Sequence, residues 1–127
     1  MFVRIFLIVN FVCIGLIGLA YLYDPNLLLS QYGLETGSIG IDNMLRSTYG
    51  GVFLSVSLIF LIGVLNNKRR QDALFVAALF MGGLAIGRLT SIALVGTPPT
   101  AMMLLLYYEC AAVLIAFVLY SRSTQTA

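Results

Sequence analysis

Four long apolar stretches, each closed by polar or helix-breaking residues, organise this chain. The first runs from about Phe2 to Tyr23 and ends at Asp24-Pro25, where proline stops the continuing helix. The second runs from near Asp42 to near Leu65 and gives way to Asn66-Asn67-Lys68-Arg69-Arg70-Gln71-Asp72, a short hydrated turn. The third covers roughly Ala73 to Val95 and breaks at Gly96-Thr97-Pro98-Pro99-Thr100. The fourth covers about Ala101 to Tyr120 and leaves a polar tail, Ser121 to Ala127, expected to be disordered. A helix rises 1.5 Å per residue, so roughly 20 residues cross the hydrocarbon layer, and each stretch is long enough. The pattern predicts an all-α protein: an integral membrane four-helix bundle forming one domain over residues 1–120, with residues 121–127 as tail.

Composition agrees. The chain has 127 residues, 61% of them hydrophobic and 9% charged, with a mean hydropathy of +1.02. No water-soluble domain of this length could carry that on its surface, so the bilayer must be its solvent. A net charge of +2, scattered and without a basic stripe carrying aromatics, excludes a nucleic-acid surface. Arg4 ahead of an apolar run, with Gly18-Leu19-Ala20 behind it, loosely resembles a signal peptide. The run of about 18 residues exceeds the roughly 7 to 15 of a signal core, which favours an uncleaved anchor.

The link from Asp24 to Ile41 is the only long one. Asp24 can cap a helix whose first position is Pro25, and Gly33 can end it in a left-handed conformation. The segment between them reads as a short amphipathic helix at the outer interface, with Leu27, Leu28 and Leu29 in the membrane boundary. It reads as a tethered surface loop rather than a mobile lid.

Charge sets the orientation. Arg4, Lys68, Arg69, Arg70 and Arg122 fall on one side of alternating spans, whereas Asp24, Glu35 and Asp42 fall on the other, which has no loop cation. Cations in short loops mark the cytoplasmic face, so both termini are expected there. Six of the seven tyrosines lie toward the opposite half, consistent with an interfacial ring.

Three ionisable side chains lie within the apolar stretches: Arg46, Arg88 and Glu109. Each costs about 2.5 to 3.5 kcal/mol on insertion scales, so such groups face protein and have partners. Arg88 lies seven residues before the end of the third span and Glu109 eight residues into the fourth, which puts both roughly 10 to 12 Å deep from the same side. They can meet. Arg46, four residues into the second span, is roughly 6 Å deep on that side and can reach down or snorkel outward.

Glycine pairs, Gly50-Gly51 and Gly82-Gly83, lie about one turn below Arg46 and Arg88 and suggest that spans two and three touch at that level. Gly83 and Gly87 form a GxxxG, extended by Ala78 and Gly82, read as packing within the chain more than as a dimer seam. Glu109 shares a face with Met102, Leu105, Ala112 and Ala116.

The trio supports two readings. In the plainer one it is an internal salt-bridge network, with Glu109 neutralising one arginine and Asp42, one turn from Arg46, helping the other. In the sharper one, two guanidiniums against one carboxylate leave a surplus positive charge suited to a carboxylate, phosphate or sulfate. The site would then be edged by Tyr49, Tyr108 and Asp42.

Absences narrow the chemistry further. Without histidine there is no bis-His haem, His-ligated zinc or imidazole triad. Cys13 and Cys110 sit near mid-span, where a thiol stays protonated and packs as core. No P-loop, dinucleotide fingerprint or metal-spaced cysteine set occurs, and four helices without matched Gly/Pro breaks do not make an inverted-repeat transporter. No cofactor is expected, and an enzyme is disfavoured.

Four segments carry a resemblance: Tyr23-Asp24-Pro25, Tyr32-Gly33-Leu34, Asn43-Met44-Leu45-Arg46-Ser47-Thr48-Tyr49-Gly50-Gly51, and Gly82-Gly83-Leu84-Ala85-Ile86-Gly87-Arg88. Together they resemble a bacterial family of small four-span proteins, domain of unknown function 4345, over nearly the whole chain. Glu109 fits the glutamate of that pattern's last helix. The resemblance implies a bacterial integral membrane protein, hence the inner membrane, and brings no activity with it.

The expectation is therefore an outward-opening site on Arg46, Arg88 and Glu109 that takes a small anionic or amphiphilic ligand, including a lipid headgroup. The rival is an accessory subunit whose charges only brace the bundle and whose apolar flank docks on a larger membrane complex or a second copy. A tag placed before Met1 is expected to stay with the membrane-inserted chain; its loss on maturation would show that the first span is cleaved.

Overall fold

The computed structural model describes residues 1–125, an all-α chain with no strand among them. In order come α1 (Phe2–Tyr23), α2 (Asn26–Leu29) with a 3-10 turn (Ser30–Tyr32), α3 (Ile39–Leu45), a π-helical segment (Arg46–Val52), α4 (Phe53–Leu65), a second 3-10 turn (Asn67–Arg69), α5 (Arg70–Val95) and α6 (Thr100–Gln125). Four continuous helical stretches are long and apolar enough to cross a membrane: Phe2–Tyr23, Ile39–Leu65, Asn67–Val95 and Thr100–Arg122. The chain divides after Leu65 into two compact units, each holding two of these stretches.

In the first unit, α1 runs antiparallel to the helix formed by α3, the π segment and α4. The buried stripe of α1 is Leu7, Asn10, Ile14, Gly15, Gly18 and Tyr21, at helical spacing. Its counterpart is Gly50, Phe53, Ser57, Phe60 and Gly63. Glycine lets the two backbones meet. A Cβ on Gly18 would lie 2.9 Å from the Leu54 amide nitrogen and 3.1 Å from the Gly50 carbonyl oxygen, and one on Gly15 would lie 3.3 Å from Ser57 Oγ. One on Gly50 would lie 2.7 Å from Leu22 Cγ. In an apolar solvent, where burying hydrocarbon gains nothing, such close approach is what holds helices together.

The link between the two long helices forms as its residues dictate. Asp24 Oδ1 accepts the Asn26 amide at 3.0 Å, capping the turn that Pro25 opens, and Gly33 closes it at φ 70°. Asn26 Oδ1 then accepts the Thr36 amide at 3.0 Å, tying the loop back on itself. Ser38 caps the next helix through its Oγ, which accepts the Ile41 amide at 3.2 Å. The second long helix therefore starts at Ile39, before the expected Asp42, and Asp42 lies in its first turn, where a carboxylate suits the positive end of the helix.

In the second unit, α5 and α6 form an antiparallel hairpin about the turn containing Gly96 (φ 113°), Pro98 and Pro99. Gly82 faces Val113 Cγ2, and Phe75 meets Tyr120 with ring centroids 6.0 Å apart. Ala73, Ala77, Met81 and Ala85 are buried at every fourth position of α5, and Leu106, Glu109, Ala112 and Ala116 are buried on α6.

Two sequence-based expectations change. The polar run after Leu65 is mostly helical, because Asn66 Oδ1 caps it at the Lys68 amide (3.0 Å) and Arg69 pairs with Asp72 across one turn at 3.3 Å. Helix α6 continues through Ser121–Gln125, where a disordered tail was expected; residues 126 and 127 lie outside the described residues. Within the units, Gly50 packs on α1 and Gly82 on α6, while a Cβ on Gly83 or Gly87 would have nothing within 4 Å.

These distances predict a sharp contrast. Gly18→Ala drives a methyl into backbone atoms that cannot rotate away, and is expected to cost about 1 to 3 kcal/mol, as overpacking does. Gly83→Ala enters open space and is expected to leave the detergent melting temperature unchanged or slightly raised. Melting curves of the two variants check this; equal loss in both would contradict it.

Candidate functional site

The ionisable residues of the apolar segments separate into two pairs, one in each unit. In the second unit the antiparallel register brings Arg88 of α5 to Glu109 of α6. Arg88 Nε donates to both carboxylate oxygens, Oε1 and Oε2, each at 2.9 Å. The Glu109 side chain is only 4% exposed, because it belongs to the buried stripe of α6, whereas that of Arg88 is 30% exposed. A guanidinium carries five N–H donors. Glu109 occupies only the one on Nε, and among the described residues no protein group accepts from Nη1 or Nη2 of Arg88.

The chemical consequence follows from this geometry. A desolvated carboxylate anchors the inner edge of the guanidinium and fixes its plane. The remaining N–H groups form a fork of the kind that grips a carboxylate or phosphate through two parallel hydrogen bonds. Met102 and Leu105, which precede Glu109 on α6, are partly buried.

Arg46 has a different task. Its Nε donates to Asp42 Oδ2 at 2.6 Å and its Nη2 to Asp42 Oδ1 at 3.4 Å, a pairing one helical turn apart. Its Nη1 donates to the carbonyl oxygens of Leu22 and of Tyr23, the latter at 2.7 Å. Those carbonyls end α1 and have no partner in their own helix. Arg46 therefore caps α1 from a neighbouring helix and places a cation at the negative end of its dipole. Four of its five N–H donors are committed inside the first unit.

Arg46 also opens the π-helical segment. Tyr49 lies within that segment and packs on Tyr21 and Phe53, with ring centroids 5.1 and 5.4 Å away. The segment is thus clamped to the last turns of α1 by Arg46, Tyr49 and Gly50 together. A π-helix is uncommon and survives where its surroundings over-determine it.

Of the six residues singled out in the sequence, the structure joins Arg88 to Glu109 and Arg46 to Asp42. Tyr49 is placed with the first unit's aromatic residues, and Tyr108 is partly buried on α6. Each arginine has its own carboxylate, so the surplus positive charge of the sharper reading is absent at both pairs. Sequence reasoning missed the carbonyls of Leu22 and Tyr23 and the π-helix; a carbonyl is common to every residue, and only Gly50-Gly51 hinted at an irregular helix. Among the described residues, no three His, Cys, Asp or Glu side chains gather where a metal could be held.

A family model described as a domain of unknown function (DUF4345) matches residues 2–120. No curated protein and no solved structure matches the chain.

The two pairs predict unequal consequences of truncation. Arg88→Ala strands a buried carboxylate and is expected to cost about 3 to 5 kcal/mol, as breaking a buried pair does. Arg46→Ala leaves only partly exposed groups without a partner, and its melting temperature should fall less. Replacing Arg88 and Glu109 together by leucine should recover most of the Arg88→Ala loss, since no uncompensated charge remains. Thermal melts of the three variants in one detergent check the order, and a double variant no better than Arg88→Ala would contradict the pairing.

Proposed function

The chain belongs to the family described as a domain of unknown function (DUF4345), and from that premise we propose that this membrane protein binds the acidic group of an amphiphile on the open fork of Arg88. Glu109 is the residue that orients the fork. The observation that carries this reading is the division of labour within one guanidinium: Nε is committed to a buried carboxylate while Nη1 and Nη2 have no protein acceptor among the described residues. A purely structural brace spends the donors of its arginine, as Arg46 does on Asp42 and the end of α1. Arg88 keeps most of its donors in reserve. A charge inside an apolar helix is costly, and one with spare, partly exposed donors is a functional candidate by default.

The protein sits in the bacterial inner membrane with both termini cytoplasmic. Lys68, Arg69, Arg70 and Arg122 lie at the end of the α5–α6 hairpin opposite the uncharged turn at Pro98-Pro99, and short basic loops face the cytoplasm. The Arg88 fork then opens toward the outer half of the bilayer, where a lipid headgroup can reach it. Tyr108 edges the site. A second reading, an accessory subunit whose ionic pairs only brace it, draws its support from Arg46, whose donors are almost all spent within the protein.

Native mass spectrometry of the protein released from its own membrane tests the proposal. Wild-type protein is expected to carry an amphiphile adduct. Arg88→Lys keeps the charge but loses the planar fork and should lower its occupancy about tenfold or more, the worth of one charge-assisted hydrogen bond. Arg46→Lys should leave the adduct unchanged. Equal adducts in all three proteins would favour the accessory-subunit reading.

A further inference from the structure

The charge balance of the Arg88 site restricts what can occupy it. Between Asp72 and Arg122 the second unit contains no Asp, Glu, Lys or Arg other than Arg88 and Glu109. One cation faces one anion, and their side chains meet at 2.9 Å. The carboxylate is 4% exposed, so water does little to screen it. In the first unit Arg46 is likewise matched by Asp42, and no surplus positive charge exists there either.

A net anion on the fork would leave this neutral pair with an uncompensated negative charge in apolar surroundings, next to a buried carboxylate that repels it. Charges taken out of water are tolerated only when paired. Yet the fork is built to grip a phosphate or carboxylate. Both conditions are met by a ligand that brings its own counter-charge. Resting on the reading that Arg88 holds an acidic group, the geometry points to a net-neutral, zwitterionic amphiphile: a phosphodiester seated on Nη1 and Nη2, carrying an ammonium group on the same headgroup. Glu109 is then a specificity-determining residue as well as an orienting one, because its charge cancels the attraction that would otherwise draw acidic lipids to Arg88.

Competition between two lipids reads this directly. The full-length protein is exchanged into equimolar phosphatidylethanolamine and phosphatidylglycerol with identical acyl chains, and bound lipid is counted by native mass spectrometry. Wild-type protein is expected to retain the ethanolamine lipid over the glycerol lipid by about tenfold or more, the order of discrimination that one uncompensated charge supplies. An equal or reversed ratio overturns the inference. Glu109→Gln leaves Arg88 as an unmatched cation, and the preference should swing to phosphatidylglycerol; an unchanged ratio in folded Glu109→Gln protein overturns the inference as well. If that variant does not fold, the wild-type ratio decides alone. Millimolar inorganic phosphate should leave the adduct in place, and displacement by it would show that a free anion suffices. A wild-type protein that holds neither lipid, or an Arg88→Lys protein that holds both as well as wild type does, sinks the Arg88 binding reading itself and the inference with it.

Discussion

A charge carried into an apolar helix must find its counter-charge within the reach of a side chain, since neither water nor lipid tails will supply one. The two long-helix hairpins of this protein are arranged around that requirement. In the second unit it fixes the register of α5 against α6, because Arg88 and Glu109 meet only if the helices turn back at the Gly96–Thr100 link and slide to the observed level. In the first unit it fixes the second long helix against the end of α1, because Arg46 must reach both Asp42 and the carbonyls of Leu22 and Tyr23. Coulombic pairing here acts mainly as a registration device, which is a better-attested role for buried charge than net stability.

Between these ionic anchors, close packing takes over. The hydrophobic effect that drives water-soluble cores does not sort one apolar helix from another within a bilayer. At Gly18 and Gly50 the helices instead come near enough that a methyl group would collide with its neighbour, and at Gly15 the approach is tight as well. The π-helical segment belongs to the same arrangement. Widening the helix at Arg46–Val52 places Gly50 against Leu22 and Tyr49 against Tyr21 while Arg46 still reaches the end of α1. Three anchors on one helix terminus hold a geometry that an isolated peptide would abandon.

The two arginines illustrate how the same side chain can be closed or open. Arg46 distributes its donors among a carboxylate and two carbonyls and becomes part of the scaffold. Arg88 gives a single N–H to a carboxylate that is itself buried, and its remaining donors have no protein acceptor among the described residues. The two charges at that pair sum to zero, and the buried carboxylate holds the guanidinium in place within an apolar segment.

Much of this was legible in the order of residues. Hydropathy and its interruptions located four membrane-length helices, since length and apolarity are properties of a segment by itself. Asp24-Pro25 and Gly33 announced the short helix between them, because caps and left-handed stops are local chemistry. Counting from the Gly96–Thr100 turn was enough to set Arg88 opposite Glu109, as an antiparallel hairpin with a short link allows little choice of level. Other features depended on contacts between distant parts of the chain. Nothing in Arg46 distinguishes a ligand-binding cation from a helix cap until the carbonyls of Leu22 and Tyr23 come within its reach. Nothing in Gly50 or Gly83 says which of them meets a neighbouring backbone and which faces open space. Composition along the chain determined that this protein crosses a membrane and where its charges lie; only the tertiary structure decided which charge is spent and which is left available, because a hydrogen bond is settled by the position of its acceptor.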